Sequence, residues 1–223
     1  MPGFRCAAPF TWAGYSDPVR FTLFPQQNEG VELLAEMAQQ LGEAVRILGE
    51  LLGASVQDVQ RLSASLHELD ATTANLQFAL LTRMRTSLIS PLPREDLYAL
   101  AAHLTGVMTS LDAAGHLILL HRLTNLSRRP AEQLEVIGLQ VDSTTRAMRR
   151  LTTPDELEDY WIEVHRLSRR AESTHRKHLA ELLAEHSQTG FERHRFLADQ
   201  LVDTTRRLRD MASHVGQIIV RES

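Results

Sequence analysis

The sequence predicts an all-α protein, an antiparallel bundle of six long helices. Apolar residues recur at three-, four- and seven-residue steps over most of the chain, as they do on the buried face of a helix. Aromatic residues make up only 5% of the sequence, while Leu, Ala, Arg and Glu are abundant, which favours helix over sheet. The breaks between these stretches are short, so neighbouring helices are expected to run antiparallel.

The first half of the chain is predicted to hold an irregular arm at residues 1–20 and a three-helix unit at residues 21–126. Pro and Gly interrupt the arm too often for a helix. The first helix ends at Gly53, a cap of Ser55 and Asp58 begins the second, and the third fades near Asn125. The three apolar stripes contain Val31, Leu34, Leu41, Val45, Leu48 and Leu52, then Val59, Leu62, Leu66, Leu69, Leu76, Leu80 and Met84, then Leu97, Leu100, Leu104, Val107, Leu111 and Leu119.

A second three-helix unit is predicted at residues 127–223. The fourth helix begins at residues 127–130. Thr153, Pro154 and Glu156 form the best local start signal in the chain, a capping box with proline in the first turn. The fifth helix runs to about His186, and residues 188–190 break it before the sixth. In each set of three the second and third helices are the longest, which indicates a duplicated three-helix unit.

Composition limits the class of protein. With 223 residues, 43% of them hydrophobic, the chain can bury a sizeable core. A net charge of −4 gives no overall preference for nucleic acid. The single cysteine, Cys6, excludes an internal disulfide and suits a reducing compartment. No apolar run approaches the roughly 18 residues of a spanning helix. We therefore expect a cytoplasmic protein that reaches the inner face of the plasma membrane only through a partner protein.

A proline corner, Ile89–Leu100, separates the second and third helices. Pro91 and Pro93 lack amide donors and disfavour helical geometry in the residues before them, so the incoming helix must stop. Pro93 fits the first turn of the next helix, whose positive end suits Glu95 and Asp96. The simplest interpretation of the corner is a connector between two helices.

The same corner resembles the signature of a known family. Its signature positions here are Ser90, Pro91, Arg94, Glu95, Asp96 and Tyr98. Further likeness lies in Phe21–Phe24, Tyr160–Val164 and Val220–Ser223. On these segments the chain resembles the PhoU-like family called DUF47, as a divergent member of the actinobacterial type. The resemblance implies a PhoU-like bundle and a regulator of phosphate transport associated with inorganic phosphate transporters.

The chain departs from this family at the metal ligands. PhoU-like proteins bind metal clusters through Glu/Asp-x-x-x-Asp pairs, whose spacing puts two carboxylates on one helix face. The four corresponding pairs here are Leu66 and Asp70, Thr105 and Thr109, Ser168 and Glu172, and Arg209 and Ser213. Since only Asp70 and Glu172 are carboxylates, we expect multinuclear clusters to be absent or greatly weakened. Arg209 could instead form an internal ion pair with Glu172 or Asp70.

Histidines offer weaker metal signals. Glu172, His175 and His178 share a helix face and could hold a single zinc or iron ion, although a solvated polar face is the favoured explanation. His67 beside Asp70, and His116 four residues after Asp112, are similar signals. Asp199 and Asp203 have a paired spacing that charged surface also explains. The arginines of the second half suit phosphate or a carboxylate-rich partner, or they form the polar faces of surface helices.

The sequence therefore favours a non-enzymatic regulator that binds a phosphate transporter or a signalling protein and has no cofactor. No activated nucleophile, phosphate-binding glycine loop or metalloprotease motif is present. A homo-oligomer is expected, and the aromatic residues of the arm could contribute to it. The alternatives are a metal-binding helical bundle and a structural protein that oligomerises without a phosphate role.

Overall fold

The computed structural model describes residues 29–86, 92–123, 126–151 and 153–222. The predicted arm at residues 1–20, the segment Phe21–Phe24 and the signature residues Ser90 and Pro91 lie outside these ranges. Within them the regular structure is helix, with no strand, which confirms the all-α prediction. No helix in the described ranges combines the length and the apolar character that crossing a membrane requires.

Six helices cover the described residues. They are α1 Glu29–Leu52, α2 Val56–Thr86, α3 Arg94–His121, α4 Arg128–Arg149, α5 Pro154–Glu185 and α6 Gln188–Glu222. Helices α1 and α4, with 24 and 22 residues, are the shortest of their sets of three, as the sequence indicates.

The helices pack as two sets of three. Within the first set, α1, α2 and α3 contact one another, and within the second, α4, α5 and α6 do the same. The sets meet where α3 packs on α6 and α1 packs on α4. One cluster of buried apolar side chains, half of them leucine, runs through both sets. The origin of the two sets by duplication stays a prediction.

A close contact between Gly115 and Leu66 fixes the position of α2 along the axis of α3. Gly115 of α3 faces Leu66 of α2, whose side chain is fully buried. A Cβ atom at Gly115 would lie only 2.6 Å from Leu66 Cδ2 and 3.4 Å from Leu51 Cδ1 of α1. The absence of a side chain at Gly115 therefore lets three helices meet at one point.

The observed first residues of the helices differ from the sequence analysis in two details. Ser55 caps α2 as predicted, since its hydroxyl accepts the Asp58 amide at 3.3 Å. Thr153 is the N-cap of α5, but its side chain makes no capping hydrogen bond, and Arg150 pairs with Glu156 instead. The interruption between the fifth and sixth helices is not at residues 188–190, because α6 already begins at Gln188. The break is at His186 and Ser187, and the Ser187 hydroxyl accepts the amide of residue 190 at 3.4 Å.

Candidate functional site

The described part of the proline corner places a buried carboxylate at the start of α3. Pro93 is the N-cap residue, one position before the helix, and its carbonyl accepts the Asp96 amide at 3.0 Å. Asp96, in the first turn of α3, is only 2% exposed. The positive end of α3 favours this charge.

Two side chains of α6 face the Asp96 carboxylate. The Arg221 guanidinium donates to Asp96 Oδ1, and His214 Nε2 lies 3.2 Å from the same oxygen. The ring of His103 on α3 lies 5.7 Å from that of His214. Burial lowers the pKa of His103, and the neighbouring His214 lowers it further. The corner is thus tied to the last turn of α6.

The exposed residues around this tie form an apolar groove between α5 and α6. Trp161 packs on Gly216, where a Cβ atom would lie 3.0 Å from Trp161 Nε1. Val220 and Arg221 line the same groove. Trp161 is 40% exposed and Val220 is 78% exposed. Open solvent access and large apolar groups are the features of a surface that another molecule can cover.

Three segments that carry the family resemblance therefore lie at one end of the bundle. They are the corner at the start of α3, the start of α5 and the end of α6, and Arg221 contacts the first while lining the groove beside the second. We call their exposed residues the corner surface. It comprises Arg94, Glu95, Tyr98, Trp161 and Val220.

In the first half, the positions that the predicted resemblance relates to metal ligands contact neutral side chains. Leu66 is part of the core. Asp70 accepts a hydrogen bond from the Thr109 hydroxyl at 2.9 Å, and Thr105 donates to Gln77 Oε1 at 3.1 Å. Asp70 therefore keeps a partner for its carboxylate without a second carboxylate beside it.

In the second half, Arg209 Nη1 lies 3.1 Å from Glu172 Oε1. Both side chains are 34% exposed, so the pair lies at the edge of the bundle rather than inside it. The other two positions are serines, whose hydroxyls form hydrogen bonds between and within helices. Ser168 accepts from Gln140 Nε2 at 2.9 Å, and Ser213 donates to the Arg209 carbonyl at 2.9 Å.

Replacing Arg209 by Ala should lower the free energy of unfolding by only about 1 kcal/mol or less, because water screens a pair that is one-third exposed. If Arg209 were buried, as the sequence analysis considers, the same replacement would lower the free energy of unfolding by several kcal/mol. Urea unfolding of the Arg209→Ala variant measures the difference. A loss above 3 kcal/mol would show that the pair is effectively shielded from water.

The predicted group of Glu172, His175 and His178 is not assembled. Glu172 pairs with Arg209, while His175 Nε2 lies 3.2 Å from Asp199 Oδ1 on α6. His178 is 2% exposed, and burial lowers its pKa to about 4. These two histidines are therefore buried and do not form the solvated polar face that the sequence favoured, and burial lowers the pKa of both, which favours their neutral form.

Most of the other charges form surface pairs. Asp199 pairs with Arg195 at 3.2 Å and Asp203 with Arg207 at 2.8 Å, each along one turn of α6. Arg166 pairs with Glu163 in the same manner on α5. All of these side chains are well exposed, which fits the interpretation of solvated helix faces.

Over the described ranges, one group brings three candidate metal ligands together. His67 of α2, with Asp112 and His116 of α3, places one ligand atom each within 4.8 Å of the others. His67 Nδ1 lies 3.1 Å and His116 Nδ1 3.5 Å from Asp112 Oδ2. The hydrogen bond to Asp112 raises the pKa of His67. The sequence shows the four-residue step from Asp112 to His116, but joining His67 to them needs the packing of α2 on α3.

Comparison with models of known protein families finds no match to this chain, and comparison with curated proteins finds none either. The likeness to PhoU-like proteins therefore depends on the segments quoted above, and it stays a prediction.

Proposed function

We propose that this protein is a non-enzymatic regulator of inorganic phosphate transport that acts by contact with a transporter or a signalling partner. The observation that supports it is the position of the family-like segments. Although 125 positions separate Asp96 from Arg221, their side chains pair, and this pair adjoins the groove of Trp161 and Val220. If these segments serve one function together, they must lie close to one another in the fold.

The corner surface has the chemistry of a protein interface. Tyr98 and Trp161 are 49% and 40% exposed, and such large amphipathic side chains often provide most of the binding free energy at interfaces. Arg94 and Glu95 place charges at the edge of the apolar groups, as the polar rim of an interface does. In this proposal the chain lies at the inner face of the plasma membrane because its partner holds it there.

Replacing Val220 by Lys should abolish capture of the partner. A charge at the rim of the groove is costly to bury against a partner, but in the free protein it points to solvent and suits the negative end of α6. The measurement is purification of the tagged protein from native membranes, with detection of a phosphate transporter or phosphate-signalling protein by mass spectrometry. Phosphate uptake should change in cells that carry the variant.

Leu183→Lys is the matched control. Leu183 is an exposed apolar residue near the end of α5, 70% accessible to solvent, and α5 and α6 run antiparallel, so it lies at the other end from Val220. This variant should capture the partner as the wild-type protein does. Equal capture by both variants would contradict the role of the corner surface. Capture of no phosphate-related protein would contradict the function itself, and self-association alone would favour a structural role.

A further inference from the structure

We propose that His67, Asp112 and His116 form a mononuclear site for a divalent transition metal ion, of the zinc class, between α2 and α3. The proposal is independent of the phosphate-transport function. None of the three residues occupies a position of the carboxylate pairs by which PhoU-like proteins bind metal clusters. The site therefore differs from that family's in its ligands, in its place and in its number of ions.

The distances between the ligand atoms fit a tetrahedral ion. Zinc binds imidazole nitrogen and carboxylate oxygen at about 2.0–2.2 Å, which puts two ligand atoms of a tetrahedron about 3.3 Å apart. The observed separations from Asp112 Oδ2 are 3.1 Å to His67 Nδ1 and 3.5 Å to His116 Nδ1. An ion can enter with small side-chain movements, because these two separations are already close to the required spacing and all three ligand atoms lie within 4.8 Å of one another.

The orientation of the two imidazoles also fits. Each presents Nδ1 to the carboxylate, and a neutral ring with its proton on Nε2 has a free lone pair at Nδ1. The ring centroids lie 5.7 Å apart at an interplanar angle of 63°, so the rings are not stacked, and both Nδ1 atoms approach the same carboxylate oxygen. Two nitrogens and one oxygen are donors that suit zinc and related ions better than calcium or magnesium.

The contacts of the Asp112 carboxylate also favour a cation at this place. The residue is only 7% exposed, and its Oδ1 atom has no hydrogen-bond partner within the part of the chain that the structure describes. A buried carboxylate without full pairing is costly. A divalent cation would neutralise this charge and could accept the second oxygen as well.

The fold holds the three ligands on rigid elements. Asp112 and His116 are one turn apart on α3, and His67 follows Leu66, whose side chain packs against Gly115 next to His116. That close contact places the α2 and α3 ligands at the same level. His67 has a side chain 64% exposed, so an ion has a path from solvent and water can take the remaining coordination position.

The test is a titration of the chelator-treated protein with Zn²⁺ against a chromophoric chelator, together with Co²⁺ as a spectroscopic probe. We expect one equivalent of Zn²⁺ per chain and Co²⁺ bands of a four-coordinate ion. His67→Ala and His116→Ala should each weaken Zn²⁺ binding by at least about 10-fold, the smallest loss usual when even a supporting group of a metal site is removed. Circular dichroism checks that each variant is folded, and both mutated side chains are substantially exposed.

The control removes two histidines elsewhere. His186 and His194 have stacked rings, 4.5 Å apart, near the junction of α5 and α6. The double variant His186→Ala/His194→Ala should bind Zn²⁺ as the wild-type protein does. The proposal is overturned if no saturable binding occurs, if the His67 and His116 variants bind as the wild type, or if the control variant loses binding equally. The last outcome would assign the ion to the surface histidines.

Discussion

Lowering the pH from 7 to 4 should reduce the free energy of unfolding by about 3 kcal/mol through His178 alone. Burial on α5 lowers the pKa of His178 to about 4, whereas a histidine of the unfolded chain has a pKa of about 6.5. Between these values the unfolded chain binds the proton and the folded chain does not. The stability of the neutral form is therefore fully present above about pH 6.5 and is lost as the pH falls towards 4.

The neighbours of His178 act in both directions. After burial, the largest effect is the Glu181 carboxylate, which raises the pKa, while His175, His194 and Arg129 lower it. Burial also lowers the pKa of His175, so a second histidine of the α5–α6 contact acts with the same sign. Since α5 and α6 pack closely along their length, protonation of this pair should weaken the second set of three helices first.

Urea unfolding at pH 7.0, 5.5 and 4.0 measures this dependence. His178→Leu places an apolar side chain of similar size at the site and removes both the titrating group and the unpartnered Nδ1 atom. The free energy of unfolding of this variant should therefore fall less between pH 7 and 4 than that of the wild-type protein. The control, His186→Leu, replaces an exposed histidine and should keep the wild-type dependence. Identical pH dependences for wild type and His178→Leu would show that the buried ring is not the cause.

The sequence predicts the helices well because burial along a helix is a local, periodic signal. The stripe from Val31 to Leu52 marks α1, and the serine cap marks the start of α2. Local signals fail where another residue competes. At Thr153 the expected capping box does not form, because Glu156 is paired with Arg150 from the preceding turn.

The candidate metal site shows the limit of sequence reasoning more clearly. Asp112 and His116 are visible as a four-residue step, whereas His67 lies 45 positions away from Asp112, and nothing local relates the two helices. Their relative level depends on Leu66 entering the space that Gly115 leaves. The pairing of Asp96 with Arg221 across 125 positions has the same character. Long-range register is a property of packing, which the apolar stripes alone do not determine.

Replacing Arg221 by Ala should lower the free energy of unfolding by about 2 kcal/mol. Asp96 is 2% exposed, and a buried charge that loses its partner typically costs about 3–5 kcal/mol, but the Arg221 side chain is 50% exposed, so water weakens this pair. The loss here should be smaller, because this screening reduces the contribution of Arg221 and the positive end of α3 still favours the carboxylate. For a chain of this length such a loss lowers Tm by about 4–8 °C.

Arg207→Ala provides the comparison, since Arg207 pairs with Asp203 one turn away on α6 and both side chains are more than 40% exposed. That variant should lose no more than about 0.5 kcal/mol. The cause can be separated from the loss of packing by adding Asp96→Asn to Arg221→Ala. If the stranded charge is what destabilises the single variant, removing it should restore part of the stability, so that the double variant is more stable than Arg221→Ala. A double variant that is less stable still would mean that the Asp96 carboxylate contributes through contacts other than the one with Arg221.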